Sequence, residues 1–280
     1  MYLALGRVSN LPTVATNTLA GAALGGALPG EPRTAVAGLA LCLTYVGGMF
    51  LNDAFDREID RRERPERPIP SGRISASEVF AVGFGLLAAG VLLVAAVERR
   101  LGPATFAAAV LAALVVLYDA RHKQVAAAPW VMGACRGASL FVAALAAGGR
   151  APPGLFLAAV TLAAYVVGLT YVARGENGSR PRAGAGLLLL ASPGWLLFGG
   201  SVPAPAWGVA ALLAGHVGFV VRPLFRAGPA DVGRAVGGLI AGISLVDALV
   251  LARLDEPGLA VLAILAVPAT RALQRRVRGT

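Results

Sequence analysis

Asn52, Asp56 and Asp60 fall at positions i, i+4 and i+8 of the stretch LNDAFDREIDRRERPERPIPSGRIS, Leu51 to Ser75. On a helix that spacing stacks three oxygen-bearing side chains on one face, one turn apart. Hard oxygens converging on one point suit Mg²⁺, which keeps several waters and binds substrate phosphates. Asp53 lies about 100° around the same helix and stands as support behind those ligands or as a secondary one. A plain DxxxD is weak evidence, because charge runs are usually solvated faces in which acids and neighbouring arginines neutralise one another. Here the acids continue into Arg67-Pro68-Ile69-Pro70-Ser71-Gly72, and the compound signal is far more specific.

Other polar clusters interrupt an otherwise apolar chain. Tyr118-Asp119-Ala120-Arg121-His122-Lys123 contains the only lysine among 25 basic residues. A lysine is a compact point charge suited to phosphate. Arg136, in GACRGAS, lies inside an apolar run. An intramembrane arginine costs about 3 kcal/mol on insertion scales and faces a cavity or a partner. Tyr171-Val172-Ala173-Arg174-Gly175-Glu176-Asn177 follows a later run, with Arg180 and Arg182 just beyond. Asn10 and Asn17 read equally well as cavity groups or as glue between helices. Asp247 and His216 read as structural, and Ser75 or Ser77 as a cap for the turn holding Glu78.

The elements that must position these groups are membrane helices. Hydrophobic residues make up 57% of the 280-residue chain and charged residues 14%, and mean hydropathy is +0.71. A soluble domain carries roughly 25% charged residues. One water-soluble core cannot hide this much apolar surface. Continuous, non-alternating apolar runs predict helices rather than a barrel. Ten runs qualify: 10–29, 34–51, 77–97, 102–119, 126–148, 153–173, 184–201, 205–223, 233–252 and 257–273. The last is short, so nine or ten spans are expected, in one all-α domain over residues 1–280. The 36 glycines predict close helix packing.

Net charge is +10, but the arginines flank apolar runs as topology signals do, which argues against nucleic acid. Nineteen basic residues fall on the side holding the N-terminus and both motif-bearing connections, and five on the other. The positive-inside rule places the richer side in the cytoplasm, which makes this a multi-pass protein of the plasma membrane. Cys42 and Cys135 sit in apolar runs with no metal-ligand spacing and read as packing residues.

The string Asn-Asp-x-x-Asp-x-x-x-Asp, directly after the second span and followed by Arg-Pro-x-Pro-Ser-Gly, resembles the first signature of the UbiA superfamily of intramembrane prenyltransferases. The resemblance implies a helical bundle around a lipid-accessible cavity, with Asn52, Asp56 and Asp60 holding Mg²⁺ on the diphosphate of an isoprenyl donor. Tyr118 and Lys123 resemble the family's Tyr-x-x-x-Lys segment, where the lysine meets diphosphate. Arg57, Arg67, Arg174 and Arg180 are further candidates for the diphosphate. Asp56, Asp60, Lys123 and Arg136 are the catalytic candidates. Asn10, Asn17, Asp53, Asp119, Tyr171 and Asn177 are the candidates for the substrate cavity.

The third cluster departs from the family. It carries no aspartate where a second aspartate-rich motif is usual, so Glu176 and Asn177 are left as the candidate ligands there, Glu176 first, and Arg174, Arg180 and Arg182 could replace part of the metal's charge. This variant looks more like the EboC-like branch. The implied reaction moves an isoprenyl group from its diphosphate to a small aromatic or otherwise electron-rich acceptor. An intramembrane terpene cyclase and a non-catalytic isoprenoid carrier are the competing readings.

Overall fold

The computed structural model describes residues 1–27, 30–99, 101–174, 183–198, 200–225 and 229–277. Among these, all regular structure is helical. The order is α1 (Tyr2–Leu5), α2 (Leu11–Leu24), α3 (Pro32–Phe55), α4 (Arg57–Glu63), α5 (Ala76–Glu98), α6 (Pro103–Arg121), α7 (Ala128–Ala143), α8 (Pro153–Arg174), α9 (Ala183–Leu189), α10 (Ala204–Val221), α11 (Pro229–Arg253) and α12 (Pro257–Arg276).

Local chemistry sets several of these boundaries. Proline occupies the first turn of α2, α3, α6, α7, α10 and α12, where its missing N–H costs nothing. Ser75 caps α5, its Oγ accepting from the Glu78 N–H at 3.1 Å. At the other end of α5, the Glu98 carboxylate accepts from the backbone N–H groups of Gly102, Ala104 and Thr105. These are orphan donors at the start of α6, and an acid at that pole is favourable.

Eight helices among the described residues are long and apolar enough to cross a bilayer. The expected nine or ten spans thus resolve into eight full-length ones and two shorter pieces. Helix α2 has 14 residues, about 21 Å of rise against a hydrocarbon core of about 30 Å. The stretch Gly186–Leu197 is also short, because α9 gives way to a 3₁₀ segment at Ser192–Leu197. Large apolar side chains such as Leu92, Phe106, Phe156, Trp207 and Phe219 point outward. In a membrane bundle such a face is wetted by lipid.

Helix α11 runs through the centre. Its span is 94% buried, against α2, α8, α10 and α12. Polar anchors fix it there. The Tyr165 hydroxyl donates to the Leu239 carbonyl at 3.0 Å, and His216 Nε2 meets the Gly238 carbonyl at 2.9 Å. His216 is therefore a satisfied packing residue, as its sequence context suggested.

Small residues bring the backbones together. A Cβ on Gly25 would lie 2.3 Å from the Ala144 carbonyl oxygen, and one on Gly47 2.8 Å from the Gly83 carbonyl oxygen. The second contact seats α3 against α5 and so fixes the helix that carries Asn52. In both cases the obstacle is backbone, which cannot swing aside. Gly25→Ala is expected to destabilise the bundle by about 2 kcal/mol through overpacking. Thermal unfolding of the detergent-solubilised protein measures this; an unchanged melting temperature would refute the contact.

Candidate active site

Helix α3 ends at Phe55 and α4 begins at Arg57, so the acidic face crosses a helix break at Asp56. The hydrogen-bond chain nevertheless runs through it. The Asp56 N–H donates to the Asn52 carbonyl at 3.0 Å, Asp60 to Asp56 at 2.9 Å, and Arg64 to Asp60 at 2.8 Å. Asp56 keeps a near-helical backbone, φ −77° and ψ −4°, which is why the three side chains still share a face. All three are buried, and all three line a cavity of about 390 Å³.

Each acid meets a base. Arg67 Nη1 is 2.7 Å from Asp60 Oδ2 and 3.4 Å from Asp53 Oδ1. His122 Nε2 and Lys123 Nζ approach Asp56 Oδ2 at 3.4 and 3.8 Å. Asn52 Nδ2 donates to Asp119 Oδ1 at 3.1 Å, and Arg7 Nη2 donates to Asn52 Oδ1 at 3.3 Å. Burial by itself would push the Asp56 carboxyl up, but the hydrogen bond and charge of His122, with Lys123 and Arg67, outweigh it and hold the group below the usual carboxylate range. Burial likewise pushes the Arg67 guanidinium down, and Asp53, Asp60 and Asp56 more than reverse this. Asp56 and Arg67 are therefore both charged near neutrality.

The loop that presents Arg67 is held by its own sequence. The Ser71 N–H donates to the Arg67 carbonyl and the Arg73 N–H to the Pro68 carbonyl, both at 3.0 Å. Pro68 and Pro70 stiffen the segment. Gly72 takes a positive φ of 74°, which a side chain would resist.

The structure sorts the expected site residues. Asn10, Asn52, Asp56, Asp60, Arg67, Tyr118, Asp119, Lys123 and Arg136 all line the cavity. Five others are placed elsewhere. Asp53 is turned from the cavity and ties Arg7 to Arg67. Arg57 sits 5.6 Å over the Phe80 ring and donates to the Ala54 carbonyl; as the residue after Asp56 it lies about 100° around from the acidic face. Asn17 binds Asp247 and Ser139. Tyr171 packs against Gly186. Arg174 donates to the carbonyls of His122 and Ala126, so it braces the loop carrying Lys123. Glu176, Asn177 and Arg180 lie outside the described residues.

Among the described residues no three His, Cys, Asp or Glu side chains gather into one group; the set Asn52, Asp56 and Asp60 contains two residues of those types, and Arg67, His122 and Lys123 stand beside its acids. One further expectation needs correction. Asp247, read as remote and structural, accepts from Thr16 and Asn17 in a polar network that reaches the cavity wall through Ser139.

Sequence reasoning missed Arg7, His122 and Tyr45, which also line the cavity. A signal existed for His122: it follows Tyr118 by four residues, and the two rings stack at 4.9 Å. Nothing local marked Arg7, whose approach to Asn52 is a tertiary contact.

A helical membrane bundle whose cavity is apolar within and lined by acids and bases at one end is the kind of protein these features define. Residues 14–178 match the model of the UbiA prenyltransferase family, and the chain belongs to that family. It is 43% identical over 117 residues to a digeranylgeranylglyceryl phosphate synthase of Ignicoccus hospitalis, covering 42% of this chain and 37% of that protein. It is 31% identical over 156 residues to the synthase of the same name from Methanopyrus kandleri, covering 56% of each. The chain thus aligns with between about a third and just over half of these curated relatives. None of them speaks for the EboC-like branch.

The fold agrees over nearly the whole length. A solved digeranylgeranylglyceryl phosphate synthase superposes with a TM-score of 0.63 at 18% identity, covering 91% of this chain and 97% of that one. A UbiA homologue from Archaeoglobus fulgidus, solved with DMAPP and Mg²⁺, superposes with a TM-score of 0.55 at 16% identity, covering 97% and 98%.

Proposed function

We propose that this protein is a Mg²⁺-dependent intramembrane prenyltransferase. It moves an isoprenyl group from an isoprenyl diphosphate to a small electron-rich acceptor. One observation carries the reading: Asp56, Asp60, Arg67 and Lys123 share a single cavity with the apolar side chains Leu41, Leu111, Val166 and Ile243. A charged head and a greasy tail can be held together there. Family membership and the DMAPP and Mg²⁺ bound to the A. fulgidus homologue support the same reading.

The residues present fit a hard cation. Asp119 Oδ2 is buried without a hydrogen-bond partner, and Asn52 donates to the other oxygen of the same carboxylate. Asn52, Asp56, Asp60 and Asp119 would hold Mg²⁺ through oxygen, with Glu176 a further candidate ligand. When bound, the ion would neutralise charge on the diphosphate.

The chain's own residues do the rest. Lys123 and Arg67, with Arg7 beside Asn52, place positive charge where electrons accumulate as the allylic C–O bond breaks. Arg180 is a further candidate for that role. The bonding pair leaves on the diphosphate oxygen. The acceptor's electron pair then forms the new bond to carbon, and the acceptor loses a proton. The apolar walls exclude water that would otherwise trap the cation.

The names of the curated relatives favour a glyceryl phosphate acceptor as a second reading of the acceptor. The distribution of arginine and lysine supports a plasma-membrane protein with the charged end of the cavity toward the cytoplasm.

The test uses protein in lipid nanodiscs, isotopically labelled donors of graded chain length and a membrane-free extract. Release of inorganic diphosphate and the mass of the lipid products are both followed. Release together with a prenylated product, only when Mg²⁺ is present, is the expected result. Release without any acceptor would mark a cyclase. A carrier would release none, and transfer in the presence of a chelator would remove the metal assignment.

A further inference from the structure

A second concavity lies outside the active site, on the outer surface of the bundle. It is a groove of about 650 Å³ between α5 and α6. Its walls are the exposed side chains of Phe84 and Leu117. Between them Ala88, Ala112 and Ala113 leave a hollow, because a methyl group fills so little of the space beside a helix. The lining is apolar except at one end, where Arg121 closes it.

The groove has the depth of one membrane leaflet. From Ala112 to Arg121 it follows α6 for about 14 Å of rise, and half of a hydrocarbon core is about 15 Å. Arg121 ends α6, is exposed and forms no ion pair among the described residues. Positive charge also reaches the opposite wall. The Phe84 ring stacks on Phe80 at 6.2 Å, and Arg57 sits over Phe80, sharing its charge with Glu58 at 3.7 Å. Phe80 stands eighteen residues before the end of α5 and Arg121 eighteen after the start of α6, so the two are level in this antiparallel pair. The groove is greasy along one leaflet and positive at its interfacial end.

It is separate from the catalytic cavity. Leu111, Val115 and Tyr118 of α6 line the cavity, whereas Ala112, Val116 and Arg121 line the groove.

We infer that the groove binds one anionic phospholipid, with an acyl chain along the three alanines and the phosphate on Arg121. A guanidinium matches phosphate oxygens bidentately. The chain gains close contacts in the hollow that a flat helix face would not give it. A soluble anion would use the arginine alone and leave the apolar length of the groove unfilled. The bound lipid braces α6 from behind, on the helix whose end presents His122 and Lys123 to Asp56. Lipid binding here does not depend on the prenyltransferase reading.

Native mass spectrometry of the purified full-length protein, titrated separately with phosphatidylglycerol, phosphatidylcholine and diacylglycerol, tests this. One phosphatidylglycerol should be retained ahead of the other lipids, with diacylglycerol weakest. Half-saturation for that first lipid should rise about fivefold in Arg121→Gln, the scale of one arginine against anionic lipid. Arg121→Lys should recover most of the loss. Ala113→Phe, whose ring fills the hollow, should weaken retention at least as much as Arg121→Gln. Both positions are exposed, so melting curves should match the parent; if one variant does not fold, the other decides.

The site is refuted if the parent retains diacylglycerol or phosphatidylcholine as well as phosphatidylglycerol, or if either folded variant binds as the parent does. A response to Arg121→Gln alone would be surface charge without a groove. Displacement by glycerol phosphate would mark a soluble-anion site. Geranyl diphosphate that competes for the groove, and is itself weakened by Ala113→Phe, would mark a donor site. Either result would overturn the phospholipid as occupant.

Discussion

Asp56→Asn protein is expected to insert into membranes and fold, yet to transfer prenyl groups about a thousandfold more slowly than the parent, the scale on which charged active-site groups act. Asparagine keeps the shape of aspartate and can still accept from His122, so packing at the α3–α4 break survives. What disappears is the negative charge of a carboxyl that His122, Lys123 and Arg67 hold below the usual carboxylate range despite its burial. With it goes an oxygen donor at the centre of the acidic face, between Asn52 and Asp60. Lys123 and His122 then lose their counter-charge and are no longer held at the cavity mouth. The measurement is single-turnover product formation in nanodiscs, with gel filtration and a melting curve as the check on folding. Parental rates in both Asp56→Asn and Asp60→Asn would defeat the assignment of the acidic face.

The second large effect belongs to Arg67. One nitrogen, Nη1, reaches both Asp60 and Asp53. Arg67→Met leaves two buried carboxylates facing each other without their shared cation. Removing one partner of a fully buried pair costs 3–5 kcal/mol. Arg67 is 19% exposed and opens onto the cavity, so screening reduces this to about 2 kcal/mol. Activity should fall by about a hundredfold or more, because the cation nearest the acidic face is gone and the loop that carried it has lost its anchor. Arg67→Lys should recover part of the stability and less of the rate, since an ammonium keeps the charge without the fork. Chemical denaturation and initial rates separate the two effects. A variant as stable and as active as the parent would show that the pairing is incidental.

These effects follow unequally from the chain. The spacing of Asn52, Asp56 and Asp60 carried its own answer, since the backbone hydrogen bonds 52–56–60–64 are local and survive the helix break. Arg57 shows the limit of the same logic. It follows Asp56 directly, which turns it about 100° from the acidic face, and the Phe80 ring it lies over comes from α5, a contact that spacing within one helix does not report. Arg174 and Lys123 both looked like phosphate ligands by composition. Only the loop geometry shows one bracing the carbonyls behind the other. Asn17 and Asp247 lie 230 positions apart and meet because α2 packs on α11, a contact between surfaces whose pattern of small and polar residues is too degenerate to pair by reading.

The residues by themselves determined that this chain lives in a membrane, that its helices pack closely, and that an acidic face leaves the second apolar run. Those properties depend on composition and on neighbours within a few turns, which hydropathy and helical periodicity encode directly. The tertiary structure decided which charges neutralise which, and that Arg7, His122, Arg136 and Tyr45 line one cavity. Such pairings depend on where separate helices cross, and crossing is set by the packing of whole surfaces rather than by any short stretch of sequence.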